Sequence, residues 1–95
     1  MAKLTGSDIE QRLAATPAWK LGANASSIVR ELELADFAAA IELVDRVAER
    51  AEAANHHPDI LVHGWNKVLL TLSTHSEGGL TDADFQLASQ IDLLA

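Results

Sequence analysis

The stretch DFAAAIELVDRVAERAEAANHHP, residues 36–58, decides the fold. Phe37, Ala40, Ile41, Val44, Val47, Ala48 and Ala51 recur at spacings of three and four. Glu42, Asp45, Arg46, Glu49, Arg50 and Glu52 fill much of the opposite side. That pattern predicts an amphipathic surface helix of about 18 residues with one buried stripe. Asp36 can cap its start, since a short carboxylate accepts a bond from an otherwise unpaired first-turn amide. Asn55 suits its end, and Pro58 cannot continue it.

The flanks of this helix read as strands. Upstream, Ser27 to Leu34 includes Glu31-Leu32-Glu33-Leu34, which alternates at period two and sets Ile28, Leu32 and Leu34 on one face. Trp19-Lys20-Leu21 is a shorter strand, and the turn-rich Gly22–Ser26 would join the two as a hairpin. Downstream, Ile60-Leu61-Val62 is a short strand. Trp65 to Thr74 is another, with Val68, Leu70 and Leu72 on one face. Two further helices frame the chain. Ser7-Asp8-Ile9-Glu10 has capping-box spacing, which predicts a helix over 7–15 with Ser7 as cap and Glu10 reaching back. Near the other end Thr81 caps, Asp84 follows three residues later, and Leu80 and Phe85 occupy the two positions of a hydrophobic staple. The expected order is α-β-β-α-β-β-α in one α+β domain over residues 1–95. Its four-stranded antiparallel sheet would carry the helices on one face. The other sheet face, with Val29 and Leu69, is partly apolar and predicts self-association.

Composition narrows the function. Seven Lys and Arg against 14 Asp and Glu leave a formal charge of −7. Such a surface is repelled by phosphate backbones and anionic lipid, so neither direct nucleic-acid binding nor membrane binding is expected. Cysteine is absent, which removes disulfides, thiolate catalysis and zinc–thiolate sites and suits a reducing cytoplasm. Met1-Ala2-Lys3-Leu4 leads into polar residues rather than a signal-peptide core, and no apolar run nears the roughly 20 residues that span a bilayer.

The chemistry-bearing residues cluster. All four histidines lie between positions 56 and 75. Imidazole titrates near neutrality and can give or take a proton at low cost. His56 and His57 follow the long helix directly, and His75 ends the last strand. Glu52, four residues before His56, would share its helical face and could orient it. His63 is assigned to a strand edge without a role. Zinc ligation is the rival, but adjacent histidines point in different directions and no His-x₃-His pair or carboxylate ligand is spaced with them. No metal and no cofactor are therefore expected.

Asn55-His56-His57-Pro58-Asp59, Trp65-Asn66-Lys67-Val68, Leu72-Ser73-Thr74-His75, Gly79-Leu80-Thr81 and Asp84-Phe85-Gln86-Leu87-Ala88 occur in this order. Together they resemble the pterin-4a-carbinolamine dehydratase family, from about Phe37 to Ile91 and more weakly back to Trp19. The resemblance implies dehydration of 4a-hydroxytetrahydropterin to quinonoid dihydropterin, which recycles the cofactor of aromatic amino acid hydroxylases. It implies that His56, His57 and His75 are the active-site histidines. It also implies that Asn55 and the Ser73-Thr74-His75-Ser76 stretch contact the pterin, and that Glu52 and Asp84 are supporting acids. His57 and His75 would share the proton transfers while His56 binds and polarises the 4a-hydroxyl. A homodimer or homotetramer is expected. The alternative is a non-catalytic role of the same fold, as transcription cofactor or assembly factor, since relatives serve in that way. Asn55 stands where the family often has an acid and Ile60 where it often has an aromatic residue. The Pro58–Trp65 stretch is one residue longer than in many members, which predicts a bulge at His63-Gly64.

Overall fold

A computed structural model describes residues 3–95; the expectations drawn on Met1 and Ala2 lie outside the described residues. The elements are helix α1 (Gly6–Ala15), strands β1 (Lys20–Leu21) and β2 (Ile28–Glu33), helix α2 (Phe37–Ala54), strands β3 (Asp59–His63) and β4 (Lys67–Leu72), a 3₁₀ turn (His75–Glu77) and helix α3 (Asp82–Asp92). The order is the expected α-β-β-α-β-β-α.

Asp36 begins α2 as its spacing predicts, accepting from the Ala39 amide at 2.7 Å. The buried stripe is Ala40, Leu43, Val47 and Ala51. Phe37, Ile41 and Ala48, expected in that stripe, are instead exposed, because the helix turns that flank away from the sheet. At the far end Asn55 adopts the left-handed conformation (φ 50°, ψ 42°). The His56 amide then donates to the Ala51 carbonyl at 3.1 Å, and the Asn55 amide to that of Glu52 at 3.2 Å. This paired closure satisfies carbonyls that a helix end would otherwise leave unpaired.

All pairings in the sheet are antiparallel, in the order β1-β2-β4-β3. Ile28 and Leu32 of β2 and Val68, Leu70 and Leu72 of β4 meet the α2 stripe and Phe85, Leu87, Ala88 and Ile91 of α3 in one core. Ile9 and Leu13 of α1 pack against its margin. The helices therefore lie on one face, as expected. Burying each large aliphatic side chain contributes about 1.5–3 kcal/mol, so this layer outweighs any surface pair in the molecule. Val29, Leu69 and Thr71 alternate with the buried set and stand half-covered on the opposite face, beside the exposed Leu61.

Two local expectations are corrected. The first helix begins one residue earlier than the expected 7–15, with its cap two residues before Ser7. Thr5 is the cap, its hydroxyl accepting from the Asp8 amide while the Asp8 carboxylate accepts from the Thr5 amide, each at 3.2 Å. Thr5 and Asp8 satisfy the same reciprocal rule in place of Ser7 and Glu10. The bulge expected at His63-Gly64 is absent. Register runs unbroken from Asp59↔Thr71 to His63↔Lys67. Gly64 (φ 56°) and Trp65 (φ 60°) instead form the hairpin loop, which shortens the expected Trp65–Thr74 strand to Lys67–Leu72. Asn66 fastens that loop to the exit of β2: its side-chain amide donates to the Leu34 carbonyl at 3.0 Å, and its carbonyl accepts from the Leu34 amide at 2.8 Å.

Candidate active site

Antiparallel pairing places the predicted residues. β3 starts at Asp59, opposite Thr71 near the end of β4. His56 and His57 precede that start and His75 follows that end, so all three belong to one end of the sheet.

His56 is the most constrained. Its Nε2 lies 2.6 Å from Asp84 Oδ1, and Asp84 is fully buried. The other carboxylate oxygen, Oδ2, accepts from the Thr81 amide at 3.0 Å and the Thr74 hydroxyl at 2.9 Å. Thr74 spends its proton on Asp84, so the 2.9 Å contact between the Thr74 and Thr81 hydroxyls must be donated by Thr81. A carboxylate can only accept, so Nε2 of His56 carries the proton and donates it. Nδ1 is left as the nitrogen free to accept from, or once protonated donate to, a bound molecule. Burying a carboxylate is costly unless it is fully hydrogen-bonded. Here three donors and the N-terminal end of α3, where the helix dipole favours negative charge, meet that requirement. Asp84 thus serves the capping box its spacing predicts and orients His56 as well.

His57 differs. Its Nε2 hydrogen-bonds Glu52 Oε2 in a pair exposed on both sides. The expected partner of Glu52 was His56, at helical spacing. The left-handed Asn55 ends the helix before His56, turning that ring towards α3 and bringing His57 back to Glu52 instead.

The segment after β4 alternates. Ser73 and His75 line a cleft of about 330 Å³, while Thr74 between them points inward to Asp84. Ser73 also donates its hydroxyl proton to the Ser26 carbonyl at 2.7 Å, which ties the β1–β2 turn to the cleft wall. Asn24, Ser26 and Ser27 from that turn, Asp59, Thr71 and Gly78 complete the lining. Because Thr71 alternates with the buried Leu70 and Leu72, the cleft opens on the sheet face away from the helices. His56 and His57 are not among its lining residues. Ser76 is exposed in the 3₁₀ turn, and Asn55 is exposed at the end of α2. Thr74 is committed inside the fold by its hydroxyl and by its amide, which donates to the Gly79 carbonyl at 3.1 Å.

Sequence reasoning missed Asn24, Ser26, Ser27, Asp59 and Thr71. The register of β3 on β4, which no local pattern specifies, is what brings Asp59 to Thr71. His63 bonds Glu31 at 2.8 Å on the open sheet face, away from this end. Among the described residues no three His, Asp or Glu side chains converge as a metal-ligand set.

An α+β sheet with helices on one face, and three histidines at one sheet end, one of them bonded to a buried capping aspartate, defines the class. The model of the pterin 4 alpha carbinolamine dehydratase family matches residues 2–94, and the chain belongs to that family. A protein of Acidobacterium capsulatum is 52% identical over 94 residues, 99% of each chain. One of Chloroflexus aggregans is 50% identical over 92 residues, 97% of this chain and 96% of its own. Both are provisionally named pterin-4-alpha-carbinolamine dehydratase. A crystal structure from Brucella melitensis, described as a transcriptional coactivator/pterin dehydratase, superposes with a TM-score of 0.92 over 98% of both chains at 32% identity. A pterin dehydratase-like protein described as a RuBisCO assembly factor in the alpha-carboxysome shares the fold, with a TM-score of 0.70 over 82% of this chain and 89% of its own at 23% identity.

Proposed function

We propose that this chain dehydrates 4a-hydroxytetrahydropterin to quinonoid dihydropterin and water, by histidine acid/base chemistry. The observation that carries the proposal is His56 held by a wholly buried, fully bonded Asp84, at the sheet end that His57 and His75 share. Family membership supplies the substrate class. The reaction moves two protons. An acid protonates the 4a-hydroxyl, which leaves as water with the C4a–O bonding pair. A base removes the N5 proton, and the N–H pair closes the C4a=N5 bond. His57 and His75 share these transfers, and His56 presents Nδ1 to the 4a-hydroxyl. Each positioned proton-transfer group typically contributes about 10²–10⁴ in rate. The redox state of protein and substrate does not change, so the step balances without an oxidant, reductant, metal or cofactor.

Asn55, Ser73 and Ser76 serve as pterin contacts. Thr74, whose hydroxyl is spent on Asp84, supports the site by fixing that carboxylate, and Glu52 holds His57. We place the protein in the cytoplasm as a homodimer or homotetramer; the half-apolar sheet face with Val29, Leu69 and Leu61 supports association. No helix is long and apolar enough to cross a membrane among the described residues. A binding role is the second proposal, since the structure from B. melitensis is described as a coactivator as well as a dehydratase.

The test is spectrophotometric. 4a-Hydroxytetrahydropterin is generated in situ and quinonoid dihydropterin is followed with and without the protein. Acceleration over the spontaneous reaction is expected; none from folded protein overturns the enzyme proposal and leaves the binding one.

A further inference from the structure

The cleft beside His75 has a chemical polarity of its own. Its lining contains one carboxylate, Asp59, and neither lysine nor arginine, so away from His75 it offers no cationic group to an anionic ligand. None of the ion pairs formed among the described residues involves Asp59. Asp59 stands directly opposite Thr71 in the β3–β4 ladder, and cross-strand neighbours on one face hold their Cβ atoms about 4.5–5.5 Å apart. A carboxylate that only accepts therefore sits beside a hydroxyl able to donate. Ser73 has already spent its proton on the Ser26 carbonyl, so it adds an acceptor rather than a donor. Asn24 takes the Ser26 amide on its side-chain oxygen at 3.2 Å, leaving its NH₂ as a second donor.

A reduced pterin presents a matching edge. Its exocyclic 2-amino group and N3–H are adjacent donors, and O4 beside them is an acceptor. We propose that Asp59 recognises the 2-amino-4-oxo edge of the ring, its carboxylate accepting from the 2-amino group and N3–H while Thr71 donates to O4. The ring then extends across the cleft towards His75, which puts C4a and N5 on the histidine side and the recognition edge away from it. Asp59 is a specificity-determining residue in this scheme. It discriminates a 2-amino ring from its 2-oxo counterpart, in which N1 and N3 carry the protons and an oxygen replaces the amine. An oxygen facing a carboxylate replaces a charge-assisted hydrogen bond with repulsion. The scheme rests on the dehydratase proposal for its ligand, but not on turnover.

Calorimetric titration of the full chain with a 6-methyl-7,8-dihydropterin and the matching 6-methyl-7,8-dihydrolumazine tests it. Wild-type protein should bind the 2-amino compound about tenfold or more tighter, the worth of one charge-assisted bond. Asp59→Asn, isosteric and at an exposed strand start, should bring the two compounds to within about threefold, because the amide can donate to the 2-oxo group. Equal binding of the two compounds by wild-type protein overturns the assignment without need of any variant. So does an Asp59→Asn protein that keeps the wild-type preference. Selective binding without acceleration of the dehydration leaves Asp59 assigned and overturns the enzyme proposal instead.

Discussion

His56 and His57 are consecutive residues, each hydrogen-bonded through Nε2 to a carboxylate, and the two pairs are physically unlike. The His56 and Asp84 side chains are 15% and 0% exposed, and Asp84 is bonded by three separate donors. The His57 and Glu52 side chains are 57% and 75% exposed, and this pair rests on a single bond. Solvent competes for the second pair and screens it; for the first, the chain itself supplies every partner of the carboxylate. One ring is therefore held in a set orientation and tautomer, while its neighbour is free to reorient and exchange protons with water. Proton shuttling suits the second, and positioning of a leaving group suits the first.

The comparison can be broken at Asp84. Asp84→Ala strips the acceptor from His56, Thr74 and the Thr81 amide at once and removes a helix cap. We expect a loss of about 3 kcal/mol or more in urea unfolding, a large fraction of a small domain's stability. A loss below about 1 kcal/mol would mean that the network is not held dry. Asp84→Asn is sharper. Its oxygen can keep the Thr74 and Thr81 bonds while its NH₂ faces His56, so Nε2 must accept and the proton moves to Nδ1. Nitrogen-15 shifts of the His56 ring should report this tautomer change, with a stability cost of about 1–2 kcal/mol from the lost charge assistance. An unchanged tautomer would place the proton elsewhere in the wild-type network.

Glu52→Gln is the matched change at the exposed pair. Its effect on stability should stay within about 0.5 kcal/mol, since exposed ion pairs contribute little. An effect as large as that of Asp84→Asn would erase the distinction between the two pairs. The smallest effect belongs to the capping box of α1, a second carboxylate on a helix N-terminus but a partly exposed one. The Thr5 hydroxyl, then the Thr5 amide, and finally the Arg12 charge hold the Asp8 carboxyl below its ordinary 3.8, against a small opposing effect of desolvation. A lowered carboxylate pKa stabilises the folded state above the unfolded value, and that contribution is lost as pH falls through the folded one. Asp8→Asn should therefore be slightly less stable than wild type at neutral pH, and the two should converge as pH falls below the ordinary 3.8 and through the lowered folded value in acid titrations of thermal stability.

The sequence carries these two pairs unequally. Helix α2, its Asp36 cap and its Asn55 end follow from periodicity and cap chemistry, because those rules act within a few residues. So does the Thr81–Asp84 capping box. The partner of His56 does not follow: helical spacing nominates Glu52, whereas a single left-handed residue redirects the ring to a carboxylate 28 positions away. The same limit applies to the cleft. Ser73 and His75 are recognisable from the motif around them. Asp59 and Thr71 meet only through strand register, and Asn24 and Ser27 only through the fold of a turn.

The most direct measurement is the turnover of 4a-hydroxytetrahydropterin by wild-type protein and by the His57→Ala/His75→Ala double variant, with folding of both verified by circular dichroism. Neither histidine takes part in the buried network, so the variant should fold, and its rate should fall by at least about 10² towards the spontaneous reaction. A folded double variant that turns over at the wild-type rate would contradict proton transfer by these histidines.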